Sequence, residues 1–121
     1  MPTADEALVL GCSLARDYYA KNMSPHALLI VSGYREHRSS ITVEKIRDHV
    51  TKHPSLIGDW IGYSENKRTS SGWYFSADSP HGPFVLGRCP TSGPARTEKT
   101  FSDGTEACAH YIKHELESIA S

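Results

Sequence analysis

The sequence has few cysteines, almost no net charge and no long hydrophobic run, and each shortage excludes a class of protein. Three cysteines, Cys12, Cys89 and Cys108, form an odd set without metal-type spacing. We interpret them as reduced thiols, with Cys12 and Cys108 buried in the core. No stretch approaches the roughly 18 apolar residues of a membrane-spanning helix, and Asp5 and Glu6 stand where a secretory signal is basic. We therefore expect a cytoplasmic protein without a membrane partner.

The near-zero net charge and the missing sequence motifs exclude further classes of function. The 13 basic and 14 acidic side chains leave a net charge of −1, which offers no general attraction for nucleic acid. The glycines form neither G-x-G-x-x-G nor a P-loop, and no G-x-S-x-G motif is present. With 22% charged and 38% hydrophobic residues in 121, the composition is typical of one globular domain spanning residues 1–121.

Helical signals dominate the first half of the chain. Thr3 and Glu6 have the spacing of a capping box, and apolar residues follow at helical spacing to a predicted end at Asn22. A further helix is predicted from Thr42 to the residue before Pro54, because proline removes a helical hydrogen bond.

The segment between these helices allows two structures. Ser24 followed by Pro25 is typical of a helix start, whereas the apolar run from Leu28 to Val31 also suits a buried strand. Gly33 ends the element in either case, and we favour a short helix. Residues 35–40 are predicted to form a charged loop.

From residue 57 the hydrophobic period changes from helical to alternating, which predicts a strand over residues 57–63. Residues 67–75 then indicate the tip and returning strand of a hairpin. Further strands are predicted over 84–88 and 99–101, and a capped amphipathic helix from Asp103 onward. We therefore predict an α+β fold, with N-terminal helices, a three- to four-stranded antiparallel sheet and a C-terminal helix packed on it. Trp73 is expected to be buried beneath that helix.

Histidine is the residue type that most suggests catalysis or metal binding. His49 with His53, and His110 with His114, have the i, i+4 spacing of a zinc pair. The second pair is expected to point away from the apolar stripe of its helix, without groups to orient it, and neither pair belongs to H-E-x-x-H. We expect no metal, no cofactor and no catalytic residue. A small metal-dependent or hydrolytic enzyme that uses the histidine pairs is the alternative.

The basic turn before the aromatic strand suggests a third function. Lys67 and Arg68 precede Trp73 and Tyr74, a combination that single-strand nucleic-acid binders use. Side chains alternate along a strand, so Trp73 and Phe75 share one face and Tyr74 takes the other. Such aromatic runs more often serve packing. A nucleic-acid-binding adaptor is therefore the further alternative.

Several segments together resemble a known kind of protein. After the basic turn come G-W-Y-F at 72–75, V-L-G at 85–87, F-S-D at 101–103 and A-C-A-H-Y-I-K-H-E-L at 107–116. The arrangement is similar to small bacterial immunity proteins encoded beside polymorphic or contact-dependent toxins, over about residues 57–120. The resemblance implies a non-enzymatic cytoplasmic protein that binds and blocks a toxin domain.

The sequence thus favours a protein-binding module that acts by occlusion, with another protein as its partner. Affinity in such interfaces comes from a few aromatic and arginine anchors inside a polar rim. We expect these anchors on or near the less covered face of the sheet. The candidates are Trp60, Tyr63, Lys67, Arg68, Tyr74 and Arg88.

Overall fold

A computed structural model describes residues 3–66, 73–77, 82–88 and 97–120. Within these ranges it contains seven helices and a three-stranded antiparallel sheet, and the last helix contacts the sheet. The predicted α+β class is therefore confirmed. The elements are α1 (Ala4–Cys12), α2 (Leu14–Ala20), α3 (Pro25–Ser32), α4 (Tyr34–His37), α5 (Val43–Lys52), α6 (Ser55–Asn66), β1 (Trp73–Ala77), β2 (Phe84–Arg88), β3 (Thr97–Phe101) and α7 (Gly104–Ala120).

The first helical segment begins as predicted but is broken in the middle. Thr3 Oγ1 accepts a hydrogen bond from the Glu6 N–H, and Glu6 Oε1 accepts one from the Thr3 N–H, both at 3.1 Å. Ser13 interrupts the helix with φ −90° and ψ 0°, so α1 and α2 replace the single helix predicted. Asn22 follows α2 with a left-handed φ of 51°, a conformation that asparagine tolerates.

The ambiguous segment is helical. Ser24 Oγ accepts a hydrogen bond from the Ala27 N–H at 3.1 Å, and Gly33 ends α3 with a left-handed φ of 75°. The short α4 occupies part of the segment predicted as a charged loop. Thr42 caps α5, as predicted, by accepting from the Lys45 N–H at 3.3 Å.

The strand predicted over residues 57–63 is wrong, because this segment belongs to α6. The Leu56 N–H donates to the His53 carbonyl at 3.0 Å, so the chain turns directly from one helix into the next. Leu56, Trp60 and Tyr63, at i, i+4 and i+7, are all buried on one side of α6. The hairpin predicted between 57–63 and β1 is therefore also wrong, and its tip at 67–72 lies outside the described residues.

The sheet has the order β1-β2-β3, and its inner face carries the core side chains. Phe75 lies opposite Leu86, and Phe84 opposite Phe101. Phe75 is 5.6 Å from Tyr111 of α7 between ring centroids. Glycine begins α7 at position 104, where an added Cβ would lie 2.6 Å from Cζ of Phe84, so the helix can approach the sheet closely.

Trp73 is partly rather than fully buried, which corrects the expectation of a core tryptophan. Its ring stacks on His114, with centroids 3.8 Å apart and planes inclined by 11°. It is the first residue of β1. The prediction that Cys12 and Cys108 are buried is confirmed, and burial raises the pKa of the Cys12 thiol to about 12. Cys89 lies outside the described residues.

A charged network joins α4 to α7. Arg38 donates to Glu117 Oε1 from Nη2 at 2.7 Å and to Oε2 from Nε at 3.2 Å. The buried Tyr34 hydroxyl donates to the same carboxylate, and Lys113 donates to that hydroxyl at 2.8 Å. The Arg38 hydrogen bonds are the main reason that the pKa of Glu117 falls to about 2.

This network predicts a loss of stability in acid. Because the pKa of Glu117 is lowered on folding, its contribution is present above about pH 4.5 and is lost as pH falls toward about 2. We expect this contribution to the free energy of unfolding to be about 1 kcal/mol, since the Glu117 side chain is 38% exposed and solvent screens its ion pair with Arg38. Urea unfolding at about pH 7 and about pH 3 measures it: Glu117→Gln should remove this part of the pH dependence. The exposed Glu36→Gln variant should not, and equal behaviour of the two would contradict the prediction.

In the part of the chain that the structure describes, no helix combines the length and the apolar character needed to cross a membrane.

Candidate functional site

Two of the predicted anchors are core residues. Trp60 is 0% exposed and its Nε1 donates to the Cys12 carbonyl at 2.8 Å, while Tyr63 is 2% exposed. Both side chains follow α6 into the interior, because the segment is a helix and not a strand. Their expected placement on an open sheet face is wrong. Neither side chain reaches the surface of this structure.

Three further predicted anchors have side chains that lie outside the described part of the structure. Lys67 and Arg68 lie outside the described residues, as does the side chain of Arg88, whose backbone ends β2. Tyr74 is the predicted anchor that the structure places on the second face of the sheet, opposite to Trp73 and Phe75. This placement agrees with the alternation expected of a strand.

The second face, which we call the outer face, consists of the alternate residues of the three strands. They are Tyr74 and Ser76 of β1, Val85 and Gly87 of β2, and Glu98 and Thr100 of β3. The ring contacts between the sheet and α7 are made from the inner face, by Trp73, Phe75 and Phe101. Among the described residues, α7 therefore packs on the inner face.

Tyr74 and Gly87 form the centre of the outer face. They are directly opposite each other in the β1–β2 register. A Cβ built on Gly87 would lie 2.2 Å from Cζ of Tyr74, so the tyrosine ring lies across the glycine backbone. Any larger residue at position 87 would displace the ring. The pair therefore holds an aromatic side chain flat against the sheet.

Polar and small apolar side chains surround this pair. Val85 and Ser76 are opposite each other and half-buried, while Glu98 and Thr100 on β3 are exposed. Within the described sheet, β3 is an edge strand that pairs with β2 on one side. Charged side chains such as Glu98 and Lys99 on an edge strand discourage pairing with another copy.

The histidines of α7 are placed differently from the expectation. His114 stacks on Trp73, and His110 lies 5.8 Å from Phe101 between ring centroids and 3.2 Å from Glu106 Oε1. Both rings therefore pack against the sheet rather than pointing away without partners. In the described ranges, no three metal-ligating side chains are grouped closely enough to hold an ion. The absence of a metal in the protein stays a prediction.

Fold and surface together define a class: an α+β domain with its terminal helix on the inner face of an antiparallel meander and an aromatic centre on the outer face. Comparisons with protein-family models, with curated proteins and with solved structures gave no match. The resemblance to immunity proteins therefore stays an expectation that rests on this chain's own residues.

Proposed function

We propose that the protein is a non-enzymatic binding module whose outer face docks onto another folded protein. The observation that carries the proposal is the ring of Tyr74 lying across Gly87 at the centre of that face. A tyrosine held in one orientation loses little side-chain entropy on binding, and aromatic side chains of this kind are frequent interface anchors.

The surroundings of Tyr74 fit a protein interface. Val85 extends the apolar centre, while Ser76, Thr100 and Glu98 supply hydrogen-bonding groups around it. An apolar centre inside a polar rim is the common arrangement in such interfaces. The net charge of the whole sequence is −1, so the protein offers no general attraction for phosphate groups. This charge balance favours a protein over nucleic acid as the partner.

The specific form of the proposal is an immunity protein that binds a toxin domain and occludes its active site. This form is supported by the resemblance over about residues 57–120. In most complexes of enzymes with protein inhibitors the interface backbone moves little on binding, so a surface built on a β-sheet suits the task.

Site-specific photo-crosslinking in cells of the source organism tests the surface. A photo-reactive amino acid in place of Ser76 or Val85, which lie on the outer face beside Tyr74, should crosslink to one protein. The same amino acid in place of Ile30, which is 58% exposed on α3, should not. Gly87→Ala, which displaces the Tyr74 ring, should weaken capture of that protein by about tenfold or more while circular dichroism stays native. Equal crosslinking from position 30, or crosslinks to nucleic acid, would contradict the proposal.

The toxin form needs its own experiment. Expression of the crosslinked partner alone should arrest growth, and co-expression of this chain should restore it. The Tyr74→Ala variant should protect poorly, and Ile30→Asp should protect as the parent does. A partner that is harmless when expressed alone would exclude the immunity role while leaving the binding surface intact.

A further inference from the structure

A polar cleft separate from the outer face lies where helices α1, α2, α5 and α6 meet. It encloses about 150 Å³, and the residues lining it are Val9, Ser13, Arg16, His49, His53, Ser55 and Leu56. These positions are far apart in sequence, so only the packing of the helices brings their side chains together. The space suits a few water molecules or one tetrahedral oxyanion.

The cleft is lined by hydrogen-bond donors and by one permanent positive charge. Arg16 donates from Nη2 to Ser13 Oγ at 3.3 Å, which turns the guanidinium along the wall. The rings of His49 and His53 lie 4.6 Å apart between centroids. Ser55 adds a second hydroxyl. Among the described residues that line the cleft, none is a carboxylate.

This composition suits an anion better than a metal ion. Two imidazoles supply only part of a zinc site, which needs a third ligand, and the Arg16 guanidinium repels a divalent cation. Burial lowers the pKa of His49, and the charges of His53 and Lys52 lower it further, so these groups already raise the local positive potential. A bound oxyanion would offset that potential and accept the hydrogen bonds of the guanidinium.

We propose that this cleft binds the phosphate group of a small phosphomonoester. Arg16, His49 and His53 would contact the phosphate oxygens, and the hydroxyls of Ser13 and Ser55 would complete the set. The amino-terminal end of α6 begins at Ser55, and its helix dipole adds positive potential at the same wall.

The apolar part of the lining selects the ester rather than free phosphate. Val9 is 45% exposed at the cleft, and Leu56 forms the wall beside it. An organic group attached to the phosphate can cover Val9, whereas orthophosphate cannot. Asp5 and Glu6 line a separate depression that meets the cleft at Val9. These carboxylates disfavour a second phosphate, so the ligand is a monophosphate.

Titration of the intact protein with phenyl phosphate, orthophosphate and sulfate, followed by amide NMR shifts, tests the proposal. Saturable shifts are expected at residues 13, 16, 49, 53 and 55, with phenyl phosphate binding several-fold more tightly than orthophosphate. Arg16→Gln should weaken binding by about tenfold or more. The control Arg35→Gln removes an exposed charge from α4 and should change binding less than twofold. Val9→Ser should abolish the preference for phenyl phosphate.

Sulfate separates the titration of the His49 imidazole from that of the ligand, because sulfate stays dianionic at about pH 6.5 and well below it, where this histidine titrates. The charged groups around the imidazoles are Arg16 of α2, Lys52 of α5 and, beyond Val9, Asp5 and Glu6 of α1. Because burial lowers the pKa of His49, sulfate should bind several-fold more tightly once the pH falls below the usual histidine range and this imidazole becomes protonated. Replacing His49 by glutamine should remove this dependence, and the same change at His26 should not.

Three results would overturn the proposal. The first is a set of shifts spread over all basic surface residues, with Arg35→Gln as damaging as Arg16→Gln. The second is stoichiometric zinc bound at His49 and His53 in the absence of any anion. The third is an unchanged spectrum with all three anions. Each leaves the outer-face proposal untouched, because Tyr74 and Gly87 are not part of the cleft.

Discussion

Replacing Trp60 by alanine is expected to lower the free energy of unfolding by about 4–5 kcal/mol, the largest effect that we predict for a single substitution. The side chain is 0% exposed, and its ring lies 5.2 Å from that of Tyr63 and 5.8 Å from that of Tyr111. Truncation would leave a large cavity. It would also leave the buried Cys12 carbonyl without the hydrogen bond that Trp60 Nε1 donates.

Urea unfolding followed by circular dichroism measures this effect, and Trp60→Phe separates its two parts. Phenylalanine keeps most of the ring volume but donates no hydrogen bond, so it should cost about 1–3 kcal/mol. If Trp60→Ala does not fold at all, Trp60→Phe still gives a value. A Trp60→Ala protein as stable as the parent would show that α6 does not carry this residue into the core, and would restore the strand interpretation of residues 57–63.

Phe75→Ala should be the second most damaging change and should cost about 3–4 kcal/mol. Phe75 is 0% exposed, and its ring lies 6.2 Å from Phe84 and 5.6 Å from Tyr111, so it joins the sheet to α7. The matched control is its neighbour Trp73→Ala. Trp73 is the larger side chain but is only partly buried, and we expect its loss to cost about 1–2 kcal/mol.

The order of these two costs is the test. Side-chain size alone predicts that Trp73→Ala is less stable than Phe75→Ala. Burial in this structure predicts the opposite order, because Phe75 is fully buried and Trp73 is not. Urea unfolding of both variants under one set of conditions decides between them. A greater loss for Trp73→Ala would mean that Trp73 is a core residue, as the sequence predicts.

Local signals in the sequence were sufficient to predict most helix starts and all three strands. Thr3, Ser24 and Thr42 each cap a helix through a hydrogen bond to a backbone N–H three residues later. Such contacts depend on neighbours in the chain, so they can be recognised without the fold. The residues of β2 were likewise predicted with the bounds 84–88 that the structure has, because an apolar run between turn residues marks a strand.

The candidate sites depend on contacts between residues that are far apart in the sequence, so they were predicted only in part. Strand alternation predicted that Tyr74 lies on the face opposite to Trp73 and Phe75, which is the outer face. Its position over Gly87 follows from the β1–β2 register. His49 and His53 were noticed for their spacing alone. Arg16, which gives their cleft its permanent charge, comes from a different helix. No local pattern links residues 16 and 49.

The sequence by itself determined the α+β class, the helix caps, the burial of Cys12 and Cys108 and the two faces of β1. The tertiary structure decided the conformation of residues 57–63, where the apolar positions fit both a strand and a helix. Packing of Leu56, Trp60 and Tyr63 into one core buries three large side chains on a single helix face. A strand would place Trp60 and Tyr63 on opposite faces. Burial of apolar surface, rather than local periodicity, therefore selects α6.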